Sequence, residues 1–412
     1  MRTTIILFKT CLLLLASNSL IASVDLGIDL FFQEGHVDRL QGKRVGLITN
    51  QTGVNSELRS TIDLLVEHSP KIELVALFAP EHGLHGNAYA AEEVVHSAGP
   101  HKIPIYSLYG KTRRPTADML KNIDVLVYDI QDIGCRPYTY TTTLLYAMEE
   151  AAKHGIEIIV LDRPNPLNGV IVDGPMLKEK WRSFIGYINI PYCHGMTVGE
   201  IAKFFNGEYG IGCNLTIIPM KGWKRSMSFS DTGLTWIPTS PNVPEADTPY
   251  YCAATGLLGE LSLTNIGIGY TLPFKVVGAP WINATEFARQ MNTQKLPGVQ
   301  FLPFHFRPFY GAYQGKECHG IRIVITDPLI FRPQMCQYMI LGLLKTLYPK
   351  EVEKHLENLS ASKKELFCKA SGNEEMLSLL QKERYSAWKL ILFQKEEREQ
   401  FLTTRKKYLL YP

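Results

Sequence analysis

The sequence predicts an α/β protein, with a Rossmann-like, mostly parallel sheet in the N-terminal domain and a smaller α+β C-terminal domain. Short, nearly uninterrupted apolar runs recur between residues 40 and 170, and helical patterns alternate with them. Such strands are typical of parallel sheets that helices cover on both faces. Beyond Gly174 this alternation stops, and a strand at 321–326 is mixed with helices near 333–347 and 376–398.

The elements of the first domain follow from local patterns. Strands are predicted at 45–48, 72–78, 103–108, 125–128 and 156–161. The third is placed at a sheet edge because Pro104 cannot donate a ladder hydrogen bond. Helices are predicted around 58–66, at 141–154 before Gly155, and at 195–205, where apolar residues recur at helical spacing.

The second half is divided at a turn-rich stretch, 236–244, which we interpret as the crossing between domains. This gives a catalytic N-terminal domain at 24–238 and a C-terminal α+β domain at 239–412 that completes the cleft. The charged run at 395–400 is interpreted as a solvated helix face.

Composition excludes several classes of protein. The chain has 412 residues, of which 45% are hydrophobic, so disorder over most of its length is excluded. Its 43 basic and 40 acidic side chains give a net charge of +3, which does not indicate a nucleic-acid partner. No protein partner is indicated either.

The first 23 residues have the pattern of a secretory signal peptide. Arg2 and Lys9 precede a short apolar stretch and a small-residue exit, and no later segment is apolar enough to span a membrane. We therefore expect export to the periplasm or the extracellular space. The seven remaining cysteines are odd in number and contain no C-x-x-C, so buried free thiols are expected.

Four polar clusters follow predicted strands, at 49–53, 79–83, 129–134 and 162–166. The carboxyl ends of strands in an open parallel sheet are where such folds bind ligands. Turn formation explains the glycines and prolines of these clusters but not their acidic and amide side chains. Because G-x-G-x-x-G and P-loop patterns are absent from the first strand–helix junction, a nucleotide cofactor is disfavoured and no cofactor is expected.

The acidic residues of these clusters are the candidate catalysts. Glu81 lies between Pro80 and His82 after a buried strand, where partial desolvation would suit a general acid, although a turn-capping or ion-paired Glu is an equally good interpretation. Asp129 and Asp132 follow the neighbouring strand. Three carboxylates at one cleft edge are sufficient for glycoside hydrolysis.

Other chemistries have weaker support. His82, His85, Asp129 and Asp132 could ligate a metal, but a hydrogen-bonded polar cleft needs the same residues, and no metal is expected. No G-x-S-x-G elbow indicates a serine hydrolase. Cys193 adjoins His194, yet neighbouring residues of an extended chain point in opposite directions.

Nine motifs, in order along nearly the whole mature chain, resemble the NamZ family of exo-β-N-acetylmuramidases. They include GLITNQTG at 46–53, FAPEHG at 78–83 and VYDIQDIG at 127–134, and the others lie at 106–110, 162–169, 239–242, 278–281, 317–320 and 408–411. The resemblance implies removal of N-acetylmuramic acid from non-reducing ends of peptidoglycan fragments, in a cleft between the two domains. It also implies that Glu81 is the catalytic glutamate. An Asp of the 129–132 loop would activate water or attack the anomeric carbon, unless the substrate's 2-acetamido group does so.

The clusters and motifs together nominate a substrate-binding set for muramyl saccharides. Its members are Asn50, His82, Gln131, Arg136, Tyr138, Arg163, Asn165, Asn242, Glu260 and His319. Ile266 and Ile268 stand where the resemblance implies a glutamate and an arginine. Arg136 is therefore the first choice to contact the lactyl carboxylate, ahead of Arg163 and Arg307, although these arginines could instead brace the acidic loops. The alternative function is a non-catalytic or degenerate muramyl-glycan-binding protein, and a weaker one is an esterase or amidase.

Overall fold

The computed structural model describes residues 24–88 and 97–412. The predicted signal peptide at 1–23 lies outside this range. No helix within it is both long enough and apolar enough to cross a bilayer.

The described residues form ten strands and thirteen α-helices. The strands are β1 Arg44–Thr49, β2 Glu73–Ala79, β3 Ser97–Ala98, β4 Pro104–Ser107, β5 Val125–Asp129, β6 Glu157–Leu161, β7 Leu215–Ile218, β8 Val276–Ala279, β9 Val299–Phe306 and β10 Cys318–Ile325. The helices are α1 Gly27–Gln33, α2 Thr61–Glu67, α3 Ala117–Leu120, α4 Thr139–His154, α5 Val198–Glu208, α6 Thr248–Leu261, α7 Ala284–Thr293, α8 Pro333–Leu347, α9 Pro349–Glu357, α10 Ala361–Ser371, α11 Glu374–Lys382, α12 Ala387–Leu392 and α13 Lys395–Arg405.

Seven of the described strands form one sheet in the order β3-β4-β2-β1-β5-β6-β7. All neighbouring strands are parallel except β3 and β4. This confirms the predicted parallel sheet, and its central strands are buried because their apolar side chains meet helices on both faces. The edge position predicted for 103–108 is wrong by one strand, because Ala98 of β3 pairs outside Pro104.

The long helices of the first domain begin and end at recognisable signals. α4 ends at Gly155, whose φ of 66° is the left-handed conformation that glycine adopts without strain. α5 begins with a capping box, in which Thr197 and Glu200 each bond the other's backbone. The helix predicted over 376–398 is instead three helices, α11 to α13, because the backbone is extended at Glu383 and left-handed at Gln394.

The second half of the chain builds a smaller α+β unit, as predicted. Its antiparallel sheet has the order β8-β10-β9, and the apolar sides of α6, α7 and α8 enclose a core with that sheet. The end of the chain returns to the first domain, where Phe401 packs edge-on against Phe204 and the Tyr411 hydroxyl donates to Asp162. All seven cysteines from Cys135 to Cys368 are free, and all but the half-buried Cys252 are buried.

Candidate active site

A cavity of about 360 Å³ lies between the two halves of the chain. The loop that follows β5 forms one wall, and α6 together with the segment after it forms the other. The cavity is lined by Ile133, Cys135, Pro137, Tyr138, Tyr192, Asn242, Cys252, Gly256, Gly259, Glu260, Ser262, Thr264, Asn265, Ile266, Ile268, Phe274, Ala312 and Ala370. Gly256 and Gly259 let the wall residues Tyr192 and Ile266 approach α6 closely, since an added Cβ would lie 2.9 Å from the Tyr192 hydroxyl and 2.6 Å from Ile266 Cδ1.

The crossing segment between the halves is tied to the strand ends. Tyr138 donates to the Thr239 hydroxyl at 2.9 Å, and Tyr140 donates to the Thr239 carbonyl at 2.6 Å. The Gln51 amide donates to the Pro238 carbonyl at 2.7 Å. These bonds place Asn242 in the cavity wall, so the crossing segment forms part of the site.

Glu81 follows the end of β2 and is not among the lining residues, but it is joined to the residue next to the wall residue Tyr138. Its half-buried carboxylate accepts a hydrogen bond from the Thr139 hydroxyl at 2.7 Å. Thr139 begins α4 and directly follows Tyr138 of the cavity wall. His82 adopts a φ of 68°, and its Nδ1 lies 2.8 Å from the Ala88 carbonyl, which holds the loop after Glu81 in a turn.

Asp132 lies directly behind the cavity wall, one residue before Ile133. Its Oδ2 accepts from the Gly134 amide at 2.7 Å, whereas Oδ1 has no hydrogen-bond partner in the described part of the chain. Burial disfavours the charged form and raises the pKa of Asp132 to about 7. Gln131 fixes this turn by donating to the carbonyls of Asp132 and Pro164, both at 2.8 Å.

Glu260 is the carboxyl group that lines the cavity itself. It projects from the last turn of α6, and burial raises its pKa although Lys363 lies close enough to oppose that shift. Two carboxyl groups with raised pKa values thus lie at one cavity, one in its wall and one behind it. Raised carboxyl pKa values in a cleft are typical of acid–base sites.

Asp129 is held in a buried ion pair. Arg163 donates to its two carboxylate oxygens at 2.6 and 2.9 Å, and the Thr61 hydroxyl donates to the same group. The Asp129 side chain is completely buried. Because this ion pair occupies both partners, the structure does not support Asp129 as base or nucleophile or Arg163 as a ligand of the lactyl carboxylate.

Arg136 is likewise bonded to other groups of the protein. Its guanidinium donates to the carbonyls of Pro175 and Ile190, both at 2.7 Å, and to that of Ala370 at 3.1 Å. Only 2% of the residue is exposed, and burial lowers its pKa to about 10. Arg136 therefore joins the two halves of the chain and does not face the cavity, so its predicted contact with a lactyl carboxylate is not supported.

Some of the remaining predicted binding residues line the cavity, and the others lie outside the lining and form hydrogen bonds within the protein. Tyr138, Asn242 and Glu260 line the cavity. Asn165 uses both amide atoms, since Nδ2 donates to the Met196 carbonyl and Oδ1 accepts from Leu167. The scaffold also includes Asn50, Gln131 and His82, which are buried and outside the lining, whereas His319 lies on the small sheet.

Some wall residues were not found from the sequence. Tyr192, Thr264 and Phe274 reach the cavity only through the tertiary fold. Asn265 had a detectable signal, because it opens the glycine-containing motif at 265–269. The metal-ligand set considered from the sequence is not assembled among the described residues, since Asp129 is paired with Arg163.

Fold and site together define a two-domain α/β protein with a carboxyl-bearing cleft of the kind that glycoside hydrolases use. Residues 45–247 match the family model described as exo-β-N-acetylmuramidase NamZ, N-terminal, and residues 250–411 match its C-terminal counterpart. The chain belongs to the NamZ exo-β-N-acetylmuramidase family, which confirms the resemblance carried by the sequence motifs.

Individual relatives agree with this assignment. The chain is 42% identical over 389 residues to the peptidoglycan β-N-acetylmuramidase NamZ of Bacillus subtilis (strain 168), covering 94% of this chain and 91% of the relative. A crystal structure of a DUF1343 family protein from Bacteroides fragilis NCTC 9343 superposes with a TM-score of 0.88 at 40% identity, over 95% of this chain and 99% of that one. A second DUF1343 protein from the same organism gives a TM-score of 0.69 at 28% identity with the same coverage.

Proposed function

We propose that this protein is an exo-β-N-acetylmuramidase, a glycoside hydrolase that removes N-acetylmuramic acid from non-reducing ends of peptidoglycan fragments. The observation that carries the proposal is the carboxyl-bearing cavity between two domains that both match the NamZ family. The Bacillus subtilis relative, which is named for this activity, aligns over nearly the whole chain. We also propose that the protein is exported, on the basis of the signal-like segment at 1–23.

Glycoside cleavage needs a proton for the departing oxygen and a second group that acts on the anomeric carbon or on attacking water. We assign the proton to Glu81, the glutamate of the family motif at 78–83, one oxygen of which is fixed by Thr139 beside the wall residue Tyr138. Glu260 takes the second carboxyl position because it faces the cavity from the opposite domain. It either activates water or orients the substrate's 2-acetamido group as the nucleophile. Asp132 supports the wall between them from behind.

The cavity recognises its sugar without a cationic side chain among the described wall residues. Ile266, Ile268 and Phe274 offer an apolar surface for the sugar ring face and the lactyl methyl group. Uncharged hydrogen-bond donors are available for the polar groups of the sugar. The Thr264 hydroxyl is buried without a partner in the described chain, and Asn242 borders the same space. Hydrogen bonds from such groups can orient an anion that a salt bridge does not hold.

The decisive experiment is hydrolysis of an N-acetylmuramyl–N-acetylglucosamine disaccharide and of an aryl N-acetylmuraminide by the mature chain. We expect release of N-acetylmuramic acid from both and little release from the matching N-acetylglucosaminide. Binding of the disaccharide without turnover would instead identify a non-catalytic glycan-binding protein. Hydrolysis of ester or amide analogues alone would overturn the glycosidase assignment.

Glu81→Gln tests the general acid, because glutamine keeps the shape of the side chain but cannot supply the proton. We expect kcat on the disaccharide to fall by about 10²–10⁴-fold, with a smaller loss on the aryl substrate, whose leaving group needs less protonation. Glu353→Gln, an exposed change on α9, is the matched control and should keep full activity. Equal losses on both substrates would remove Glu81 from the acid role.

A further inference from the structure

A second group of reactive side chains lies outside the cavity, at one end of the small sheet. His305 on β9 and His319 on β10 occupy directly opposed positions of the antiparallel pair. Glu317 precedes His319 by two residues, and side chains two apart in an extended chain project to the same side. One ligand-capable atom from each of the three residues lies within 4.8 Å of the others.

The two imidazoles are closer than unconnected rings would be. Their Nδ1 atoms are 2.7 Å apart, and the ring centroids are 5.0 Å apart at an interplanar angle of 70°. Two lone pairs repel at this distance, so a proton or a cation must lie between the nitrogens. Zinc with bonds of about 2.0–2.1 Å holds tetrahedral nitrogen ligands roughly 3.3 Å apart. His305 is exposed and His319 half-buried, so small side-chain rotations supply the remaining separation.

We propose that His305, His319 and Glu317 bind one divalent transition-metal ion, with Zn²⁺ as the representative of the class. Two imidazole nitrogens and one carboxylate oxygen are the donor set that zinc prefers, and they leave a fourth position for water. Hard cations such as Mg²⁺ prefer an all-oxygen set and do not fit. Cys318 lies between two of the ligands in sequence, but it is buried on the other side of the strand and does not contribute.

The position of this site gives it a structural consequence. Phe306 and Cys318 are the last opposed pair before the segment 307–317, so the site clamps both ends of that segment. The segment reaches the cavity, where Ala312 forms part of the wall and its carbonyl accepts from Asn265 at 2.9 Å. The Phe309 amide donates to the Gly269 carbonyl at 2.6 Å. A bound ion therefore fixes one part of the cavity wall without entering the cavity.

Isothermal titration of Zn²⁺ into the chelator-treated, tag-free protein tests the proposal. We expect one saturable site in the wild type and a loss of affinity of at least about tenfold in His305→Ala and in His319→Ala, since even the loss of a supporting contact to a ligand costs 10–100-fold. His154→Ala, at the exposed end of α4, is the matched control and should bind as the wild type does. Circular dichroism verifies that each variant is folded.

Two further measurements keep the outcome independent of activity. Co²⁺ in place of Zn²⁺ should give visible absorption bands that both histidine variants lose. Glu317→Gln should weaken Zn²⁺ binding with little effect on folding, because the Glu317 side chain is exposed. Hydrogen exchange in 307–317 should slow with Zn²⁺ in the wild type only. Absence of saturable binding at millimolar Zn²⁺, or equal binding by wild type and both histidine variants, would overturn the proposal.

Discussion

Replacing Asp132 by Asn should stabilise the protein increasingly as the pH rises. Burial raises the pKa of this carboxyl from 3.8 to about 7. Below about pH 4 the group is protonated in both folded and unfolded chains, so it does not distinguish them. Between pH 4 and 7 the unfolded chain releases the proton while the folded chain keeps it. The wild type therefore loses stability over that range, and the loss is complete above pH 7.

The size of the effect follows from the shift. A difference of about three pKa units corresponds to roughly 4 kcal/mol at about 1.4 kcal/mol per unit. Asparagine cannot ionise, and it resembles the protonated acid in shape. The difference in unfolding free energy between Asp132→Asn and wild type should thus be small near pH 4. At pH 8 the unfolding free energy of the variant should exceed that of the wild type by about 4 kcal/mol.

Urea unfolding followed by tryptophan fluorescence and by circular dichroism measures this difference, provided that the two transitions coincide. Asp124→Asn is a control of opposite sign, because hydrogen bonds from Arg44 lower the pKa of Asp124 to about 2. Its stabilising contribution is complete above about pH 4, so its cost should be constant from pH 5 to 8. A difference between Asp132→Asn and wild type that is equally constant over that range would refute the reasoning.

Two further substitutions distinguish scaffold from site. Arg136→Ala should destabilise the protein by several kcal/mol, because it leaves three buried carbonyls unpaired. The preference of the enzyme for N-acetylmuramyl over N-acetylglucosaminyl glycosides should stay unchanged. A changed preference in a variant of normal stability would show that Arg136 belongs to the binding site. Glu260→Gln should lower kcat by about 10²-fold or more without lowering the urea midpoint, because burial raises the pKa of the carboxyl that glutamine replaces, and full activity would exclude Glu260 from the mechanism.

The parallel sheet was predictable because its evidence is local. The apolar runs at 45–48 and 125–128 needed only their own sequence to be recognised as buried strands, and β1 and β5 contain them. The position of the polar clusters at the strand ends follows from the direction of the strands alone. The broken helix at 376–398 was not predictable in the same way, because its interruptions depend on backbone conformation at single residues such as Gln394.

The roles of the two aspartates in the 129–132 loop could not be separated by sequence. Both follow the same strand and both are buried. Their difference arises from β6, the neighbour of β5, whose end carries Arg163 to Asp129 and not to Asp132. A buried carboxylate with a bidentate partner is a structural ion pair, whereas a buried carboxyl without a cation keeps its proton. Strand order, which a single sequence does not contain, therefore decides which of the two aspartates is paired with a cation.

The two domains that build the cavity are joined by Arg136, which keeps the cavity a rigid site. Arg136 lies between wall residues Cys135 and Pro137, and its buried guanidinium is bonded to Ala370, which lines the opposite side. Separating the domains would break this bond and leave the Ala370 carbonyl without its donor. The two walls are therefore held in fixed positions before any sugar binds. Preorganised groups lose little free energy to rearrangement when charge develops on the substrate. Arg136 thereby positions wall residues of both domains.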